Sequence, residues 1–199
     1  MRRFTMAGLM LAGLFATGCK EHIFQMSVHP FLATNQALAQ VAGRWLAEGD
    51  DDGGLEFVRG GENEWQVRLF DSKDSREGGE AAFASRVRFG RVNGALYWDM
   101  TTARASAMGD VDLEHELALH SVAKVELHDD TLAFALLKPE WLSAALADGR
   151  VDLPHFREGA AADDGVILTA STAELERFLE LYGDDPQAFG DPAVYHRAP

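Results

Sequence analysis

The chain has 199 residues and a formal net charge of −14 at pH 7, with 47% hydrophobic and 25% charged residues. That apolar share suits one domain with a substantial core and does not suit a disordered chain. The acidic balance, without a Lys/Arg stripe, argues against nucleic acid as a partner and against adhesion of the folded surface to anionic headgroups.

At the start of the chain, Arg2 and Arg3 precede an apolar run over 6–15, and Ala16-Thr17-Gly18 leads to Cys19, the single cysteine. This arrangement resembles a bacterial lipoprotein precursor. The resemblance implies a signal peptide over 1–18 and several acyl chains on Cys19, which hold a protein far more firmly than one chain does. Lys20 stands where an inner-membrane retention signal has Asp, so the resemblance points to the outer membrane, facing the periplasm, in a Gram-negative envelope. Three alternatives stay open. A transmembrane anchor needs about 20 apolar residues, more than this run has. An ordinary secretory signal is compatible with Ala16, where the lipoprotein pattern usually has Leu. A twin-arginine signal fits Arg2-Arg3, and fits Phe4-Thr5-Met6 poorly. With Cys19 lipidated, the folded part has no thiol for a disulfide, a metal or nucleophilic catalysis.

Residues 19–42 read as lipid anchor and tether, with Thr34 capping a short helix through Ala42. From Gly43 to Tyr182 the chain reads as a single β-rich domain, because apolar residues recur at every second position. Trp65, Val67 and Leu69 form one such series. Phe83, Ser85, Val87 and Phe89 form another, then Leu96, Trp98 and Met100. Leu117, Leu119, Ser121, Ala123, Val125 and Leu127 make a long face opposite Glu116, His120, Lys124, Glu126 and His128. Leu132, Phe134 and Leu136 follow. Turn residues separate the runs. Asn93-Gly94 is the strongest hairpin signal, since both central residues of that turn need positive φ, and Asp129-Asp130 predicts a second hairpin. The expected fold is mainly β (α+β): an antiparallel meander barrel or half-barrel with two packed helices near the C-terminus. Pro139, Trp141, Leu142, Ala145 and Leu146 predict a helix over about 139–149. Ser171 and Glu174 form a capping box ahead of Leu175, Phe178, Leu179 and Tyr182, which predicts a helix over about 171–182. Residues 165–170 read as a strand leading into it. Pro186, Pro192 and Pro199 mark 183–199 as a tail of extended or loosely packed chain.

Gly43-Arg44-Trp45 is similar to the lipocalin G-x-W on a first strand, where the Trp closes one end of the barrel. That resemblance implies an eight-stranded barrel with room for one small apolar ligand. The chain also resembles a family of uncharacterised envelope lipoproteins through Gly43-x-Trp45, Pro139-Glu140-Trp141-Leu142 and the 168–175 segment with Phe178-Leu179. That likeness implies no activity. Trp45, Trp65, Phe89 and Trp98 are expected to line the core or a ligand pocket.

No catalytic set and no cofactor motif emerges. Glu116 and His120 are weak metal-ligand candidates. His115 and His120 are five apart, which does not fit the helical zincin spacing, and on a strand only Glu116 and His120 share a face. Asp50-Asp51-Asp52 lacks calcium-loop spacing and reads as a solvated turn. Asp110 with Asp112, and Asp163 with Asp164, sit in polar stretches with nothing to separate their pKa values. His155 has no evident partner, and Ser121 faces away from His120. The readings left are a lipid-anchored envelope protein binding a small apolar ligand or an envelope partner, a protein-binding assembly lipoprotein with an acidic surface, and an envelope hydrolase with His120 or His155 beside a carboxylate in a cleft.

Overall fold

The computed structural model describes residues 26–49, 53–61, 63–71, 84–102, 119–157 and 165–199. Among them, eight antiparallel strands close into a barrel. They are β1 (Gly43–Ala47), β2 (Gly53–Arg59), β3 (Trp65–Asp71), β4 (Ala84–Val92), β5 (Ala95–Thr102), β6 (His120–His128), β7 (Thr131–Leu136) and β10 (Ala193–Arg197). Strands β1 to β7 run up and down in sequence order, and β10 joins β7 to β1. Between β7 and β10 the chain leaves the barrel. It forms α1 (Pro139–Ala147), the short hairpin β8 (His155–Arg157) and β9 (Val166–Leu168), and α2 (Thr172–Tyr182). The first helix therefore lies outside the closed sheet and does not interrupt it.

Local chemistry accounts for these elements. Asn93 and Gly94 both have positive φ, 50° and 83°, and Val92 pairs with Ala95 across this two-residue turn. Asp129 (φ 33°) turns the chain between His128 and Thr131. Ser171 and Glu174 form the reciprocal capping box of α2. Gly149, at φ 70°, follows α1 in the left-handed conformation that stops a helix.

The strand alternation sorts side chains into two cores. Trp45, Phe57, Trp65, Val87, Phe89, Trp98, Leu132 and Tyr195 belong to the inner one. The outer one lies between the β5–β6 wall and the helical excursion, and holds Tyr97, Val122, Trp141, Leu142, Leu175, Phe178 and Leu179. Each large side chain fully removed from water contributes about 1.5–3 kcal/mol.

Three segments differ from expectation. Residues 34–42 are not a helix; only a 3-10 turn, Ala39–Val41, forms. The Gln36 amide donates to the Phe89 carbonyl at 2.7 Å, so the backbone there bonds to the barrel. The tether reading fails from Met26 onward, because Met26, Phe31, Leu32 and Val41 are buried. The tail is not loosely packed. Its Ala193–Arg197 strand pairs with β1 and β7 and closes the barrel. Tyr195 fills the interior, and this outweighs the prolines around it.

Arg197 locks one end. Its guanidinium lies 4.3 Å from the Trp45 ring centroid. The same group donates to the carbonyls of Ala42 at 3.0 Å and Gln40 at 2.5 Å. Trp45 Nε1 donates to the Val41 carbonyl at 2.8 Å. One cation thus binds the first strand, the last strand and the 3-10 turn together, and its π contact adds roughly 0.5–2 kcal/mol.

Candidate functional site

The four residues expected to line a core or pocket all sit inside the barrel. Trp45, Trp65, Phe89 and Trp98 are between 0% and 3% exposed. Phe57, Phe89 and Trp98 are mutually 6.4 Å apart by ring centroid, and Phe134 closes to 4.2 Å from Trp98. A cavity wide enough for a ligand would leave accessible area on the rings around it, and these have almost none. Trp98 Nε1 is a buried donor without a partner among the described residues.

The polar chemistry gathers on the outside of the same wall. Strand registry places Arg86 opposite Thr101 and Thr101 opposite His120, with Arg88 opposite Asp99 in the next row. Cβ atoms of directly opposed residues lie about 4.5–5.5 Å apart, so these side chains form one patch across three strands. With Glu64, which precedes β3, they line a groove of about 270 Å³.

Asp99 is the hub of the patch. It is 2% exposed. Its Oδ1 lies 2.5 Å from His120 Nδ1, and its Oδ2 accepts the Phe31 amide at 2.6 Å. A carboxylate only accepts, so Nδ1 carries the proton and Nε2 is left for the groove. The backbone holds the ring from behind. Met26 and Ser27 amides donate to the His120 carbonyl at 2.8 and 3.1 Å, and the His120 amide donates to the Ser27 carbonyl at 2.7 Å. Segment 26–28 also bonds to Leu168, which joins the β8–β9 hairpin to the barrel. By contrast, Arg86 and Arg88 have no ion pair or hydrogen bond with another described residue. The two guanidinium groups can bind an anion, and the oriented imidazole beside them offers an acceptor nitrogen. Ser121, opposite Met100, faces the interior instead.

The remaining candidates are dispersed. Cys19, Glu114, His115 and Glu116 lie outside the described residues, as do Asp50–Asp52, Asp110, Asp112, Asp163 and Asp164. His155 Nδ1 donates to the Leu153 carbonyl at 2.8 Å on the open surface. Among the described residues, no group of three His, Cys, Asp or Glu could hold a metal, and no helix is long and apolar enough to cross a membrane. Sequence reasoning passed over Asp99, Thr101, Arg86, Arg88 and Glu64. The available signal was Val122 beside Tyr97: apolar residues on the nominally polar face mark a wall covered on both sides.

No family model matches the chain, and no curated protein and no solved structure is significantly similar to it.

Proposed function

We propose that this chain is a lipid-anchored cell-envelope protein whose barrel presents an anion-binding groove on its outer wall. The observation that carries the reading is the pair of guanidinium groups, Arg86 and Arg88, which have no partner among the described residues and stand beside an imidazole oriented by a buried carboxylate. Guanidinium is suited to phosphate and carboxylate oxygens, because its planar fork donates two parallel hydrogen bonds. With the ring proton on Nδ1, His120 Nε2 is an acceptor, and takes a hydrogen bond from a hydroxyl or ammonium on the bound group. Anchoring rests on the segment ending at Cys19. The apolar-ligand reading is weaker, because the rings that would line its pocket already fill the interior.

Titration with inorganic phosphate, followed by nitrogen NMR of the His120 ring and the arginine side chains, tests this. Saturable shifts that vanish in Arg86→Ala/Arg88→Ala support the groove. Absent shifts, or shifts indifferent to that double variant, overturn it. Replacement of Cys19 by Ser should release the protein from membranes; a Cys19→Ser chain that stays anchored overturns the lipid assignment.

The Asp99–His120 geometry also favours a second reading, a hydrolase in which Nε2 acts as general base toward water. Turnover of a chromogenic phosphate or carboxylate ester, lost in His120→Gln, would raise it above simple binding.

A further inference from the structure

We infer that the groove takes a zwitterionic phosphate–ammonium headgroup from the leaflet in which the protein is anchored; the inference rests on the anion-binding groove and the lipidated Cys19 proposed above. Two observations carry it. The first is the distribution of charge. Asp99 is committed to Phe31 and His120, so among the described residues the remaining charges lining the groove are the cations Arg86 and Arg88 and the anion Glu64. Trp65 opposes Val87 on β4, which places Glu64 at the β3 edge of the groove. A simple anion would satisfy the arginines and leave Glu64 facing like charge. A headgroup with a phosphate and a primary ammonium satisfies both signs. It also suits a chain of net charge −14, which an anionic surface repels and a zwitterionic one does not.

The second observation is reach. The backbone of Met26 and Ser27 is bonded to His120, at the groove itself. Six residues, 20–25, separate Met26 from Cys19. Fully extended, that stretch spans at most about 25 Å. The lipid-bearing residue therefore lies within about 25 Å of Met26, close enough for headgroups of its own leaflet to be present at high effective concentration.

The test uses the full lipidated chain in nanodiscs of phosphatidylcholine, of phosphatidylcholine with phosphatidylethanolamine, and of phosphatidylcholine with phosphatidylglycerol. Soluble phosphoethanolamine and inorganic phosphate serve as free ligands, and the His120 ring shift is the readout. The expected result is a shift specific to phosphatidylethanolamine discs, lost in Arg86→Ala/Arg88→Ala. Phosphoethanolamine should bind the wild type several-fold more tightly than phosphate, and Glu64→Gln should remove that margin. Equal affinity for phosphoethanolamine and phosphate in the wild type overturns the headgroup chemistry and leaves the anion groove intact. Binding of soluble phosphoethanolamine without any response in discs overturns the leaflet as its source. Failure of every ligand overturns the groove as well.

Discussion

Trp98 and Asp99 are neighbours on β5, yet they belong to different regimes. Trp98 points into a closed sheet whose eight strands all contribute to one apolar interior. Asp99 points out, and segment 26–36 crosses the wall above it, tied to His120 by Met26 and Ser27, to Asp99 by Phe31, and to Phe89 by Gln36. The interior is redundant, with many rings in mutual contact. The outer layer depends on single polar contacts. A fold can thus keep a rigid barrel while leaving one wall open to chemistry.

The most damaging way to test this contrast is Trp45→Ala. It removes a fully buried ring together with the Arg197 and Val41 contacts that bind β1, β10 and the 3-10 turn. Loss of about 3–5 kcal/mol is expected from denaturant unfolding. Trp141→Ala, in the outer layer and 7% exposed, should cost less. Equal losses would mean that the two regions share one core.

Asp99→Ala comes next. It leaves the Phe31 amide and the His120 ring without their acceptor, at about 1–3 kcal/mol. Hydrogen exchange should quicken at Phe31 and Ser27, while amides of the β1–β2 pairing stay protected. Uniform acceleration would break the claim that the strap is a separate layer. Asp99→Asn, which keeps an acceptor oxygen, should lie between wild type and Ala.

One tyrosine reports on each region. Burial raises Tyr195 to about 12, inside the barrel. Burial, with Asp184 second, raises Tyr97 to about 12 in the outer layer. The folded state holds these protons more tightly than the unfolded chain, whose tyrosines ionise near 10.0. The contribution is complete below pH 10 and is lost as pH rises toward 12. Denaturant midpoints should fall across that window, and less steeply in Tyr97→Phe and Tyr195→Phe. Unchanged slopes in both variants would remove the tyrosines as the cause.

The same contrast explains what could be read from the sequence. Period-two alternation reports the inner face, so Trp65, Val87, Phe89, Trp98, Val125 and Leu132 were legible as a barrel's interior. The Asn93-Gly94 turn and the Ser171 box were legible because their requirements are local. The outer layer is set by contacts far apart in the chain. Asp99 meets Phe31 across 68 positions, and the apolar Tyr97 and Val122 on its face hint that the wall is covered without saying by what. Strand β10 was hidden for a related reason: with Pro186 and Pro192 before it, only Ala193 and Tyr195 mark its inward face, and closure with β1 supplies what local pattern lacks. Arg86 and Arg88 read as ordinary outward polar positions until registry set them beside Thr101 and His120.

The smallest effect is also the most local. Ser171 Oγ accepts the Glu174 amide at 3.4 Å, and Glu174 Oε2 accepts the Ser171 amide at 2.8 Å. Ser171→Ala should cost about 1 kcal/mol. The opposite end of α2 is held independently, since Lys124 Nζ donates to the Gly183 carbonyl at 2.9 Å and to Asp184 at 2.8 Å. Fraying should therefore be confined to the first turn, with Leu175 amide exchange rising and the β5–β6 amides unmoved. The Ser171 hydrogen bonds hold the Glu174 carboxyl below its ordinary 4.5. Its share of the box is thus present above that value and is lost as pH falls below it. The gap between wild type and Ser171→Ala should narrow in acid. A gap that persists unchanged in acid would assign the cap to the serine hydroxyl alone. Spread of faster exchange into β5 would show that helix and barrel open together, and that the outer layer is continuous with the core it covers.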